Sequence, residues 1–485
     1  MRGFLFGFRR FRLRAVLLLL CTCLLSVALF FYYEKLTISD DHLASARSAY
    51  EQMKSYFDSY SDSTQDTTSA DISKPEDAVI PLTQEEIDTI LDRLETPLYN
   101  ATMAEEYSKE IINENMNLYK KVLSQPIIEP QFDDLIRPGH PLAGKANATI
   151  LSLVQNQDIS SIISTIEQLE DKFNNKFGYP YTFMNDAEFS DTFKKEILAL
   201  LPKERIVHFV KIRPDDWNKP VSIDNVKYIE AVDKLASEDV QYVKKVSYHN
   251  MCRFYSSKFY HQEALTYYKY AWRIEPDVNF YCNIDYDMFQ FMEMHDKIYG
   301  FTLNLYDSPQ SVRSLWNDTL EFVKENPQYL NRDGAYEWLK ENVQNPENYN
   351  ITGGYSTCHF WTNFEINNLD FLRSEPYEKY MDFLEKKGGF YYERWGDAPV
   401  RSLALGLFAD KSKIHWFRDV AYHHFPYTNC PSSPPGSNRC DKKCIPGKFS
   451  PYDNLYVQNC MATWLKYGMT DEESKMYEQQ DTQSD

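Results

Sequence analysis

Tyr268-Lys269-Tyr270-Ala271-Trp272-Arg273-Ile274-Glu275-Pro276-Asp277 stands near the middle of the 485-residue chain. From Tyr268 to Ile274 the run is aromatic and β-branched, which predicts a short buried strand. Pro276 cannot donate to a sheet ladder, so the strand ends at Glu275-Pro276-Asp277. Two carboxylates, two residues apart, then stand at the end of a buried strand, where open α/β sheets place their ligand sites. Oxygen ligands of this kind suit a hard divalent ion such as Mg or Mn, which can bridge to phosphates. An isolated acid-x-acid triplet is more often a solvated turn, so the surroundings decide.

Upstream, β-rich runs at 148–154, 179–184 and 205–212 alternate with helical patterns at 159–173 and 189–201. Strands alternating with helices predict βαβ units, a mostly parallel sheet flanked by helices and right-handed crossovers. An amphipathic helix is expected over 103–123 and an irregular arm over 126–141. Downstream, a strand is expected over 300–305, helices over 338–342, 377–387 and 400–408, and loops over 343–354 and 430–452. No linker interrupts the pattern, so 96–468 reads as one large α/β domain.

Five arginines and no acid precede a 19-residue apolar stretch, 15–33. That length spans a bilayer, and the arginines should stay cytoplasmic. The expected order is a basic head (1–14), a signal anchor (15–33), a lumenal stem (34–95) rich in Ser, Thr and Asp, the domain, and an acidic tail (469–485). Setting aside the head arginines leaves 71 acids against 47 bases, a formal charge near −24 that argues against nucleic-acid binding. Seven cysteines lie beyond the anchor: Cys252, Cys282, Cys358, Cys430, Cys440, Cys444 and Cys460. In an oxidising lumen these can pair, with one left over. A zinc site at Cys440-x-x-x-Cys444 is discounted, because no second Cys/His pair has finger spacing. Asn-x-Ser/Thr sites at Asn100, Asn147, Asn317 and Asn350 agree with a secretory-pathway protein.

Six stretches occur in a telling order. They are Tyr248-His249-Asn250-Met251-Cys252-Arg253-Phe254, Trp272 to Asp277, Tyr306-Asp307-Ser308-Pro309-Gln310, Gly354-Tyr355-Ser356-Thr357-Cys358-His359-Phe360-Trp361, Tyr392-Glu393-Arg394-Trp395-Gly396-Asp397-Ala398-Pro399, and His415-Trp416-Phe417-Arg418-Asp419. From about 147 to 467 the chain resembles the fungal Golgi α-1,2-mannosyltransferases, glycosyltransferase family 15. The resemblance implies a GT-A-like fold, Mn2+ as cofactor, GDP-mannose as donor and a mannosylated glycoprotein as acceptor. It also implies transfer with retention, and a type II protein of the Golgi membrane.

Carried over residue by residue, Glu275 matches the family's metal-binding glutamate, Asp277 stands beside it, and His424 matches the metal-ligand histidine. Glu365 matches the proposed nucleophile, Asp397 an acid of the catalytic centre, and Tyr248 an active-site tyrosine near the donor. Arg273 and Arg253 are candidates for phosphate, although pairing with a structural carboxylate suits them equally. Tyr355, Trp361, Arg394 and Trp395 are candidates for a sugar platform, which a buried aromatic core explains nearly as well. Gln155 stands where the family pattern has arginine. Retention admits a covalent glycosyl-enzyme or same-face attack with the departing phosphate as base. Transfer of mannose-phosphate on the same fold, or glycan binding without catalysis, are the competing readings.

Overall fold

The computed structural model describes residues 81–125, 145–433 and 439–469. The expected head, anchor, arm and tail, and the stem up to residue 80, lie outside these. Among the described residues no helix is long and apolar enough to cross a membrane.

The centre is a seven-stranded sheet. In chain order its strands are β1 (Ala148–Leu153), β2 (Tyr181–Asn185), β3 (Val207–Lys211), β4 (Tyr270–Arg273), β6 (Tyr299–Phe301), β9 (Glu365–Asn368) and β10 (Ile414–Trp416). Their spatial order is β10-β6-β9-β4-β1-β2-β3. β1 pairs in parallel with both β2 and β4, and β2 with β3. The order therefore reverses at β1, which opens a crevice beyond the carboxyl ends of β1 and β4. β9 runs antiparallel between β4 and β6. A three-stranded sheet, β5 (Asn279–Phe280), β11 (Tyr422–His424) and β12 (Tyr427–Asn429), and a two-stranded one, β7 (Asn304–Tyr306) with β8 (Cys358–Phe360), complete the strands.

β1, β2 and β4 are buried along their lengths apart from Leu153, as expected of parallel strands covered on both faces. Helices α1 (Gln84–Glu95), α2 (Ala101–Ser124), α3 (Ile159–Leu169), α4 (Asp191–Leu200), α5 (Asn225–Ser237), α6 (Val246–Ser257), α7 (Met288–Met294), α8 (Leu315–Glu325), α9 (Glu375–Lys387), α10 (Asp397–Phe408) and α11 (Met461–Tyr467) surround the sheets. α10 is buried at every position.

Three expectations change. Residues 84–95, assigned to the stem, form α1, which buries Ile90 and Leu94 and ties Arg93 to Glu337 at 2.7 Å. The single strand expected over 300–305 is broken at Thr302-Leu303 into β6 and β7, which join different sheets. The loop 343–354 contains a helical turn, Pro346–Thr352, started by proline at its first position and closed by Gly353 at φ +71°.

Six cysteines form the disulfides Cys282–Cys440, Cys358–Cys460 and Cys430–Cys444, and Cys252 is free and buried. The odd cysteine left over is thus Cys252. The bridge Cys430–Cys444 pins the Pro/Ser/Gly loop. Among the described residues, the only His/Cys/Asp/Glu trio with ligand atoms within 4.8 Å of one another is Cys282, Cys440 and Cys444, whose sulfurs are taken by bridges.

Candidate active site

β4 positions the site. Trp272 is fully buried, with its ring edge-on to Phe173, Phe280 and Phe364 at 5.2–5.7 Å between centroids. Because side chains alternate across a strand, anchoring Trp272 on one face fixes Arg273 on the other. The Arg273 guanidinium is 4 % exposed and lies 3.5 Å from the centroid of Tyr255. Its Nη1 donates to Asp397 Oδ2 at 2.6 Å, its Nε to Glu275 Oε1 at 3.1 Å, and its Nη2 to that same Glu275 oxygen. Nη1 also stands 3.8 Å from Glu365 Oε1.

Each carboxylate arrives from a different element. Glu275 follows the end of β4 and is only partly buried, and its Oε1 takes both contacts from Arg273. Asp397 opens α10, where the helix N-terminus favours negative charge, and accepts from Thr362 Oγ1 at 2.8 Å. Glu365 opens β9 and pairs in register with Arg273 across the ladder. It is fully buried, and Tyr299 Oη donates to its Oε2 at 3.1 Å. Arg401 Nε, from α10, lies 3.9 Å from that oxygen. Burial pushes the Glu365 carboxyl up, and Arg401 and Arg273 oppose it. Three carboxylates thus share two guanidiniums, a net formal charge of −1 next to the crevice.

β5 follows the Glu275-Pro276-Asp277 turn directly and pairs antiparallel with β11, Phe280 with Tyr422 and Asn279 with His423. Continuing that register places His424 opposite Val278. The ladder therefore joins the segments carrying Glu275, Asp277 and His424, and Glu275 lies close enough to push the Tyr422 phenol pKa up alongside burial. Asp277 is exposed and holds φ +63°, a left-handed conformation sparse for a residue other than glycine. His424 is half-buried, with Nδ1 donating to the Phe425 carbonyl at 3.2 Å and Trp361 edge-on at 4.9 Å. These three do not close a preformed cluster, because Glu275 is drawn onto Arg273. Their donor chemistry, hard oxygen with imidazole, still fits a divalent ion such as Mn2+.

A cavity of about 270 Å³ opens at the carboxyl ends of β1 and β2, lined by Gln155, Asp158, Asn185, Tyr242, Lys245 and Tyr248 among others. Tyr248, on α6, stacks on Tyr242 at 5.0 Å and accepts from Arg394 Nη1 at 3.2 Å. Arg394 Nη2 donates to Asp307 Oδ1 at 3.1 Å. Gln155 lines this cavity, where it accepts from Gln157 Nε2 at 2.8 Å.

The structure brings Glu275, Arg273, Asp397 and Glu365 together, and joins Tyr248 to Arg394. Two platform candidates are core residues instead. Tyr355 is fully buried, donates to the Cys358 carbonyl at 2.6 Å and stacks on Trp316. Trp395 is 1 % exposed, donates to Glu393 Oε2 at 2.8 Å and packs on Phe390. Arg273 is saturated by carboxylates, and Arg253 pairs with Glu385 at 2.8 Å, so neither guanidinium is left for phosphate. Trp361 remains partly exposed beside His424.

Sequence reasoning passed over Arg401, Tyr299, Tyr255 and Thr362. Arg401 had a signal: it is the one cation in the mostly apolar helix Asp-Ala-Pro-Val-Arg-Ser-Leu-Ala-Leu-Gly-Leu-Phe. It is fully buried, flanked by Phe259 and Tyr377 and donates to the Tyr255 carbonyl at 2.6 Å.

The family model described as glycolipid 2-alpha-mannosyltransferase matches residues 99–469. The chain is 56 % identical over 466 residues to the probable mannosyltransferase KTR4 of Saccharomyces cerevisiae, covering 96 % of this chain and 98 % of that protein. The crystal structure of Ktr4p from S. cerevisiae in complex with GDP superposes with a TM-score of 0.79 at 60 % identity, covering 82 % of this chain and all of that one. Core-mannan synthase A of Aspergillus fumigatus, in its Mn/GDP form, gives a TM-score of 0.68 at 43 % identity, over 72 % of this chain and 94 % of that one.

Proposed function

The chain belongs to the glycolipid 2-alpha-mannosyltransferase family, and from that premise we propose that it moves mannose from GDP-mannose onto a mannoside hydroxyl, forming an α-1,2 linkage with retention. The observation that carries this reading is the Arg273-centred cluster of Glu275, Asp397 and Glu365 at the end of β4, beside the β1/β2 cavity.

A GDP leaving group needs its charge neutralised. Glu275 and His424, with Asp277 beside them, would hold Mn2+, which supplies Lewis acidity to the diphosphate when bound. The Mn/GDP form of the Aspergillus relative supports this choice of metal. Arg273 shapes the site without touching substrate. It holds Glu275 through Oε1 and fixes Asp397. Asp397, oriented by Arg273 and Thr362, is placed to bind the acceptor hydroxyl or take its proton. Glu365, kept among two arginines and Tyr299, would supply negative charge to an oxocarbenium-like transition state or attack the sugar carbon directly, with GDP as the leaving group.

The acceptor is proposed to be an N- or O-linked glycan of a glycoprotein. The protein is proposed to be held in the Golgi membrane by residues 15–33 with its domain in the lumen. Three disulfides suit that oxidising compartment. The test incubates the protein with labelled GDP-mannose, Mn2+ and α-methyl mannoside, and reads the product by mass and anomeric NMR. An α-1,2-linked dimannoside is expected. A product heavier by a phosphate, or unaltered donor and acceptor, would overturn the reading.

A further inference from the structure

The β11–β12 hairpin turns at His424-Phe425-Pro426-Tyr427, and its tip carries an unusual side chain. Phe425 is 65 % exposed although it directly follows the half-buried His424. Tyr452, from a separate loop, is 50 % exposed and faces Phe425 edge-on at 6.5 Å between centroids. Single exposed apolar residues are ordinary. Here two large rings from distant segments meet at the surface, on a base that is tightly held. Thr428 N donates to the Phe449 carbonyl at 2.8 Å, Tyr427 packs on Phe449 at 4.8 Å, and Tyr452 N donates to Ser450 Oγ at 3.1 Å. The disulfide Cys430–Cys444 closes the segment behind β12.

The pair is continuous with the reaction site. Thr362 holds Asp397, and the adjacent Trp361 packs edge-on against both His424 and Tyr427, at 4.9 and 5.2 Å. The path from Asp397 therefore runs through Thr362, Trp361 and His424 to Phe425 and Tyr452. Exposed aromatic rings with an apolar face and, at Tyr452, a hydroxyl edge match a pyranose, whose C–H face is apolar and whose rim is polar. Preorganised rings also cost little to order on binding.

We infer that Phe425 and Tyr452 form an outer acceptor subsite that holds the second sugar of a mannoside whose terminal residue sits at Asp397, so that the preferred acceptor is an oligosaccharide and not a single mannose. This rests on the transferase reading above. No covalent step is added; the subsite only positions the chain that carries the accepting hydroxyl.

The test compares kcat and KM for α-methyl mannoside and for α-1,2-mannobiose and -triose, using the unsubstituted protein, Phe425→Ala, Phe425→Tyr and Tyr452→Ala. The unsubstituted protein should show a lower KM for the longer acceptors. Phe425→Ala and Tyr452→Ala should raise that KM about three- to tenfold, the range of one aromatic contact, with kcat held. Phe425→Tyr should restore it. Because Tyr452 lies far from His424 in sequence, its variant separates the subsite from any disturbance of the histidine. Equal KM for all acceptors, or a fall in kcat for every acceptor alike, would overturn the inference while leaving the transferase reading standing. If no acceptor turns over, mannobiose binding in the presence of GDP is measured by calorimetry. Binding weakened by Tyr452→Ala supports the subsite, and binding indifferent to both alanine variants refutes it.

Discussion

Replacing Arg273 by methionine keeps the length of the side chain and removes its charge. The guanidinium is 4 % exposed, binds Glu275 Oε1 through Nε and Nη2, and stands 2.6 Å from Asp397 and 3.8 Å from Glu365. Its loss leaves three neighbouring carboxylates, with only Arg401 beside Glu365 to compensate. Removing one partner of a buried ion pair costs about 3–5 kcal/mol, a large part of a typical folding stability of roughly 5–15 kcal/mol. The sign of the pH dependence follows. Burial raises the Glu365 carboxyl and Arg273 opposes that rise, so without Arg273 its folded-state pKa lies further above its unfolded value. Protonation at low pH relieves the repulsion, so the deficit is small near about pH 4 and grows as pH rises toward neutrality. Urea unfolding followed by tryptophan fluorescence, with the disulfides intact, measures this at about pH 5 and about pH 7.5. The expected deficit at the higher pH is about 3–5 kcal/mol, and clearly smaller at the lower. A variant within about 1 kcal/mol of the parent at both pH values would show that Arg273 is not the ion holding these acids together.

Three further outcomes are expected. Asp397→Asn should lower turnover about 10²- to 10⁴-fold with GDP binding retained, as measured by steady-state kinetics and fluorescence titration, if Asp397 handles the acceptor proton. Burial pushes the Asp287 carboxyl up to about 6, against the hydrogen bonds it accepts from Tyr179 and the N–H groups of Gln290 and Phe289. A raised acid loses stability as pH climbs from its unfolded value to its folded one, so the parent should lose roughly 2–3 kcal/mol between about pH 4 and 6 at this site, and Asp287→Asn should flatten that limb in urea titrations. Of the four glycosylation motifs, Asn100, Asn317 and Asn350 are exposed, whereas Asn147 is half-buried and its amide donates to the Tyr267 carbonyl at 2.5 Å. Glycopeptide mass spectrometry after secretion should find Asn147 bare; a sugar there would mean it is modified before β1 folds.

Much of the sheet was legible because its strands carry their own signals. β1, β2 and β4 are short runs of apolar and β-branched residues bounded by turns, and Pro276 ends β4 by chemistry. β9 reads differently: Glu-Ile-Asn-Asn has one apolar residue in four, and only its place between β4 and β6 makes it a strand. The break between β6 and β7 was hidden because Phe301 to Leu305 contains no Gly or Pro to mark it. At the site, Glu275 and Asp277 were visible beside Pro276. The salt bridge from Arg273 to Asp397 joins residues 124 apart, a relation that no local spacing encodes. Tyr355 and Trp395 failed as a platform because an aromatic ring serves a core and a sugar face equally well, and only burial separates the two uses.

The most direct test of the central claim is the Mn2+-dependent mannosyl transfer rate of Glu275→Ala beside the unsubstituted protein, with folding checked by circular dichroism. Loss of turnover in a folded variant, not restored by excess Mn2+, is the result expected of a metal-holding carboxylate at the end of β4. Unchanged turnover and unchanged Mn2+ dependence would contradict the assignment of the site.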